Sequence, residues 1–162
     1  MIFVTVGTHE QQFNRLVRYM DDYARSAKEE IVIQTGYCTY FPKYCTARQF
    51  FTYKEMMYYT EKARIVITHG GPSSFILPIR LGKKPIVVPR KKEYGEHVND
   101  HQLDFCRAVE ERNHTITLVE DITDLGSIID DYESNEKLSV TMMSNNIHFN
   151  EELAKIVGDL FS

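Results

Sequence analysis

The chain has no tryptophan, only three cysteines and five prolines among 162 residues, and no surplus of basic charge. Each shortage excludes something. Cys38, Cys45 and Cys106 are odd in number and widely spaced, so they do not form a disulfide framework. Cys38 and Cys45 are too far apart for a C-x-x-C redox or zinc knuckle, and the thiols read as free in a reducing compartment. A net charge of −4 leaves no electrostatic footprint for nucleic acid, whose binders carry a basic patch or excess. No apolar run approaches the roughly 20 residues needed to span a bilayer. The start, Met1-Ile2-Phe3-Val4, lacks the basic region and long apolar stretch of a secretion signal. A cytoplasmic location is the resulting expectation.

What is present is ordinary for a globular protein, with 43% hydrophobic and 26% charged residues. The length suits one domain over residues 1–162, with room for a real core, and is short for two. Residues 2–6 form a short apolar, β-branched run that stops at Gly7-Thr8 and reads as a buried parallel strand. Phe13, Leu16, Val17 and Met20 then recur at helical spacing. Further strands are expected at 31–33, 48–52, 65–67, 86–88 and 115–119. Helices are expected at 54–62, 72–81, 97–112, 122–131 and 145–161. Pro72 suits a first helical turn and Gly82 a helix end, whereas Pro78 should kink or shorten its helix. The alternation implies an α/β fold, a Rossmann-like parallel sheet with helices on both faces. Ligands of such sheets bind beyond the carboxyl ends of the strands, where the strand order switches.

The unusual residues stand at those strand ends. Thr68-His69-Gly70-Gly71-Pro72-Ser73-Ser74 combines glycines, which admit close backbone approach, with a helix start and two hydroxyls. That chemistry suits a diphosphate; a tight turn with serine as helix cap fits the motif equally well. Gly7-Thr8 supplies a second glycine turn at the same edge. The stretch Glu93-Tyr94-Gly95-Glu96-His97-Val98-Asn99-Asp100-His101-Gln102 gathers carboxylates, imidazoles and amides able to bind sugar hydroxyls, the plainer alternative being a solvated loop and capped helix. His97 and His101 are spaced to share a helix face, but no H-E-x-x-H pattern surrounds them, so neither a metal nor any cofactor is expected.

Taken in order, Val4-Thr5-Val6-Gly7-Thr8, Gln34-Thr35-Gly36, Thr68-His69-Gly70-Gly71-Pro72-Ser73-Ser74, Lys84-Pro85-Ile86-Val87-Val88-Pro89 and Asn99-Asp100-His101-Gln102 resemble the small glycosyltransferase subunits of bacterial capsule and exopolysaccharide synthesis. These are similar to the donor-binding subunit of the eukaryotic dolichol-linked N-acetylglucosamine transferase. Both resemble the C-terminal half of the two-domain GT-B enzyme that makes lipid II. The resemblance covers nearly the whole chain. It implies a donor-binding, catalytic subunit that moves a hexosyl or N-acetylhexosaminyl group from a UDP-sugar to a lipid-linked saccharide. A membrane-associated partner would supply the acceptor-binding half and recruit the subunit to the inner face of the membrane.

Carried over by position, Gly7 and Thr8 would meet the diphosphate, with His69, Gly70, Gly71, Ser73 and Ser74 opposite. His101 and Gln102 would contact the donor sugar, with Glu96, His97 and Asn99 as neighbours. No catalytic base is assigned, because the two-domain relatives are expected to hold it in the other half. Leu77 stands where the lipid II enzyme has a ribose-binding Glu, so either ribose is recognised differently or that helix is differently aligned. His9 and Glu10 follow the first turn and suit either an assisting role or a helix start.

Two rival functions are weighed. A hydrolase with a His-Gly-Gly oxyanion hole needs a G-x-S-x-G elbow, and Gly71-Pro72-Ser73-Ser74-Phe75 breaks that pattern. A non-catalytic nucleotide-binding or scaffold subunit that stimulates a partner transferase is the alternative reading. The aromatic block at residues 37–59 has the composition of an interface, and about half of it is expected in the core. An apolar stripe of Leu153, Ile156, Val157, Leu160 and Phe161 marks the last helix. The basic clusters Arg80/Lys83/Lys84 and Arg90/Lys91/Lys92 suit phosphates, an anionic membrane or simple solvation.

Overall fold

The computed structural model describes residues 1–132 together with Lys155. Its strands are β1 (Ile2–Thr5), β2 (Ile31–Gln34), β3 (Thr46–Arg48), β4 (Ile65–His69), β5 (Ile86–Val88) and β6 (Thr117–Leu118). Its helices are α1 (Asn14–Ala24), α2 (Tyr53–Lys62), α3 (Pro72–Arg80), α4 (His101–Asn113) and α5 (Leu125–Asp130). Every strand pairing is parallel, in one sheet of order β3-β2-β1-β4-β5-β6. The chain winds outward from β1 to β3, then returns to β4 on the other flank of β1. The switch between β1 and β4 opens a crevice at the carboxyl ends of the two central strands.

Side-chain alternation along the strands builds the core on both faces. Ile2, Val4, Ile33, Ile65 and Ile67 face Phe13, Leu16, Val17 and Met20 of the α1 region and Leu125 and Ile129 of α5. On the opposite face Phe3, Val32 and Val66 pack with Phe51, Met56 and Tyr59 around α2. Phe75, Phe105, Cys106 and Val109 cover Val87 beneath α3 and α4. The aromatic block is less buried than expected: Phe51 packs edge-on and Tyr59 stacks against Phe3, both only half-buried, while Tyr37, Phe41, Tyr44, Phe50, Tyr53 and Tyr58 are exposed.

Several boundaries differ from the sequence expectation, each for a local reason. The third strand lies at Thr46–Arg48 rather than 48–52. Thr52 instead forms a reciprocal capping box with Glu55 and starts α2. Helix α4 begins at His101 rather than at 97, because Gly95 turns left-handed and the next residues are tied down. Lys92 N donates to Asp100 Oδ1, and His101 N donates to Asn99 Oδ1. Pro78 lies inside α3, which ends at Arg80, where Lys83 N and Leu81 N close onto the Pro78 carbonyl. The sixth strand is reduced to Thr117–Leu118. Apart from Lys155, the expected helix at 145–161, with its apolar stripe, falls outside the described residues. Among those described, no helix is long and apolar enough to cross a membrane.

The loop between β2 and β3 hangs on one buried carboxylate. Asp21 on α1 accepts from Tyr44 N at 2.7 Å, Lys43 N at 3.0 Å and the Tyr40 hydroxyl at 2.7 Å. Burial alone would raise its pKa, but these donors together outweigh burial and hold it below the usual carboxylate value. Asp21→Ala should therefore destabilise the protein by about 2–3 kcal/mol in urea unfolding, since it orphans several donors. A carboxylate depressed on folding contributes stability above its unfolded pKa, which is lost as pH falls through the folded one. The wild type's extra stability over Asp21→Asn should hold at neutral pH and shrink below about pH 4.

Candidate functional site

The crevice holds a cleft of about 560 Å³. Thr5, Gly7, Thr8 and His9 line it from the end of β1, and His69, Gly71, Ser73 and Ser74 from the end of β4 and the start of α3. Gln34, Phe51, Tyr53, Met56 and Thr60 approach from β2 and α2, Leu77 and Pro78 from α3, and Gln102 from α4. The structure thus brings together Gly7, Thr8, His69, Gly71, Ser73, Ser74 and Gln102 of the sequence-predicted set.

Its centre is the His69 imidazole, 8% exposed. His69 Nδ1 accepts from Gly71 N at 3.1 Å. A Cβ on either Gly7 or Gly71 would come inside 3.0 Å of the His69 ring, so both turns are glycine because the ring fills the space between them. Gly7 also has φ +77, the left-handed region. Burial, reinforced by the Arg90 charge, pushes the His69 pKa down to about 3, so the ring is neutral and its Nδ1 remains an acceptor. Gly70 is equally constrained, pressed against Pro89 and the Gln102 side chain.

The polar groups at the start of α3 are unequal. Ser74 Oγ donates back toward the His69 and Gly71 carbonyls, Gly71 N is engaged by His69, and Pro72 has no N–H. Ser73, exposed at the first turn, keeps both its hydroxyl and its amide without a partner among the described residues. Thr8 is likewise exposed with an unpartnered hydroxyl. These are the donors an anion in the cleft would meet, close to the N-terminal dipole end of α3.

The loop before α4 is arranged differently from the sequence expectation. Glu96 is 1% exposed, and its carboxylate accepts from Arg15 Nε at 3.0 Å, Arg15 Nη2 at 2.9 Å and Lys91 N at 3.0 Å. It therefore faces inward and does not line the cleft. Gln102 Oε1 accepts from Arg90 N at 3.1 Å, which fixes the side chain at the cleft. His97 and Asn99 are half-buried, and His101 is exposed at the first turn of α4. His97, Asn99, His101 and Gly70 do not line the cleft itself, but the His97 ring lies 5.0 Å from that of His9, which does.

Arg90 is also unlike its expected placement in a surface basic cluster. It is fully buried, with Nη2 donating to Val6 O at 2.8 Å and Nη1 to Gln11 O at 2.9 Å, Gln12 O at 3.0 Å and Glu96 O at 3.3 Å. Its guanidinium also covers the Phe13 ring at 5.0 Å. Sequence reasoning missed this residue and the α2 wall, although both follow strand ends. Among the described residues, no group of three or more His, Cys, Asp or Glu side chains converges to hold a metal.

The sequence matches the model of the glycosyltransferase family 28 C-terminal domain over residues 1–157. No curated protein matches it. Among solved structures it is similar to CalG4, the calicheamicin glycosyltransferase, with 12% identity and a TM-score of 0.61 over 99% of this chain and 43% of that one. It is also similar to the glycosyltransferase SnogD from Streptomyces nogalater, with 13% identity and a TM-score of 0.56 over 96% of this chain and 39% of that one. The chain thus spans about two-fifths of the length of these structures. At such identities the likeness is one of fold, that of the C-terminal domain of GT-B glycosyltransferases.

Gly71 lies outside the left-handed region, so its requirement for glycine is steric alone. Gly71→Ala should cost about 1–3 kcal/mol of stability by overpacking against His69. In a double-mutant cycle, His69→Ala should recover at least about 1 kcal/mol of that loss. The same cycle at Gly7 should recover less, because its backbone conformation also disfavours alanine.

Proposed function

The chain belongs to the glycosyltransferase family 28 C-terminal domain family, and from that premise we propose that residues 1–162 act as one nucleotide-sugar-binding domain whose donor occupies the crevice at the ends of β1 and β4. The observation that carries this reading is the pairing of two glycine turns around His69, beside the unpartnered Ser73 and Thr8 donors at a helix start. Gly7, Thr8, Gly71 and Ser73 would hold the diphosphate through backbone and hydroxyl hydrogen bonds. Ser74 would support the turn from within. Gln102, fixed by Arg90 N, would present its amide to the sugar, with His101, Asn99 and His97 at its flank.

The donor is a UDP-sugar in this proposal, and the transferred group a hexosyl or N-acetylhexosaminyl unit. Phe51, Tyr53, Met56 and Leu77 give the α2–α3 end of the cleft an apolar character suited to a base and ribose rather than to phosphates. Leu77 is the position aligned with a ribose-binding Glu in the lipid II enzyme. Its place on the cleft wall means the ribose hydroxyls must find other partners, of which Gln34 and Thr60 are polar and close by. Departure of UDP would be stabilised by amides and the α3 dipole.

The acceptor-binding half is proposed to be a separate membrane-associated polypeptide that presents a lipid-linked saccharide for polysaccharide synthesis and brings this subunit to the inner face of the membrane. The resemblance of the ordered motifs to the small subunits of capsule and exopolysaccharide synthesis supports that arrangement.

Calorimetric titration of the purified chain with UDP, UDP-sugars and GDP tests the donor site. Saturable UDP binding is expected, weakened about three- to tenfold in Ser73→Ala, the loss of roughly one hydrogen bond. Gln102→Ala should weaken the sugar conjugates more than UDP. Absence of UDP binding, both alone and with a co-expressed membrane partner, would overturn the donor-site reading in favour of a scaffold.

A further inference from the structure

The rings of His9, on the loop after β1, and His97, on the loop before α4, lie 5.0 Å apart and tilted by 31°. Each is oriented by its own backbone: His9 Nδ1 accepts from Gln11 N at 3.1 Å, and His97 Nδ1 accepts from Asn99 N at 3.4 Å. A neutral imidazole whose Nδ1 accepts carries its proton on Nε2. The His9 Nε2 has no hydrogen-bond partner among the described residues and His9 lines the cleft, whereas His97 stands beside it outside the lining, with a further side-chain bond to Asn99.

The charges around this pair are one-sided. Arg90 at the end of β5, His69 at the end of β4 and His101 at the start of α4 are its basic neighbours. The carboxylates nearest in sequence are Glu10, which is exposed to solvent, and Glu96, which is held by Arg15. Burial, then His9 and Arg90, keep His97 below the usual histidine value, while a hydrogen bond with the Asn99 side chain acts the other way. Two imidazolium rings at this separation repel each other, so a charge on one disfavours a charge on the other. An anion held in the cleft beside the pair offsets that repulsion.

We propose that His9 and His97 form a proton-accepting pair that charges when the donor's diphosphate enters the cleft, so that donor binding is coupled to proton uptake. The inference rests on the donor-site reading above and adds to it a named pair and a thermodynamic signature. In linkage terms, the ligand raises the pKa of the pair. The gain in affinity is then fully present below the pair's ligand-free pKa and is lost as pH rises through the ligand-bound one. The His69 ring is not the proton acceptor, because it is buried and its Nδ1 is occupied by the Gly71 amide.

The test is titration calorimetry with UDP-glucose and UDP-N-acetylglucosamine between pH 6 and pH 8, in buffers of different ionisation enthalpy. Both phosphates of these ligands are esterified and do not titrate in this range, so any uptake belongs to the protein. The expected result is uptake of about 0.5–1 proton per ligand near pH 7, with affinity falling about three- to tenfold per pH unit toward pH 8. His9→Gln/His97→Gln should bind more weakly, take up no proton and lose the pH dependence. Ser73→Ala should bind more weakly with uptake unchanged. NMR titration of the wild-type imidazoles provides a check independent of variants: both pKa values should rise on ligand addition. Binding without proton uptake, uptake preserved in the double variant, or imidazole pKa values unmoved by ligand would overturn the pair alone. Failure of every UDP compound to bind at any pH would overturn the donor-site reading, and the pair with it.

Discussion

The crevice depends on one buried cation. Arg90 sends its guanidinium beneath the loop that follows β1 and binds the carbonyls of Val6, Gln11 and Gln12, then reaches Glu96 O in the loop before α4. These carbonyls belong to segments without regular structure, which would otherwise need water or one another as partners. A guanidinium is suited to the task because its planar fork serves several acceptors at once, where a lysine ammonium offers only a compact point charge. The carboxylate of Glu96 then binds Arg15 of α1, so two cations and one acid tie the first helix, the first loop and the sixth-strand side of the sheet together. Leaving such a charge buried with its acceptors displaced is costly, which makes the two loops interdependent.

That coupling explains how two sequence-distant turns can share one imidazole. With the β1 loop held from below, Gly7 is brought against His69, and the ring fills the volume that a side chain on Gly7 or Gly71 would need. The neutral state of His69 is part of the construction, since a protonated Nδ1 would no longer accept the Gly71 amide. Packing, backbone conformation and protonation are thus one constraint seen from three sides.

Much of this was legible in the sequence. Apolar β-branched runs ending in Gly7-Thr8 and His69-Gly70-Gly71 fixed the two central strands and the location of the crevice, because buried parallel strands have few other patterns available. Helix α2 and the α/β class were equally plain. The misplacements came where a side chain outside the local pattern decides the outcome. Glu96 and Arg90 look like surface charges one at a time, and only their long-range partners, Arg15 and the carbonyls of the first loop, bury them. The start of α4 moved from 97 to His101 because Gly95 turns left-handed and the Asp100 and Asn99 side chains tie down the residues before the helix. The aromatic stretch was ambiguous because Phe51 before α2 and Tyr59 on it pack on Phe3, while Tyr53 and Tyr58 are exposed.

The polarity of the cleft bears on the chemistry it suits. No lysine or arginine lines it among the described residues; its lining donors are hydroxyls, two amides, imidazoles and backbone groups. Arg90 is close but has its guanidinium committed to carbonyls, so it contributes field rather than a direct contact. A site built from neutral donors under a positive field would attract a diphosphate without pairing it to a fixed cation. Its electrostatic hold, with imidazoles that charge only on binding, would be weaker than that of an arginine clamp. A donor site of this kind, as proposed above, would balance stabilisation of a departing diphosphate against its retention.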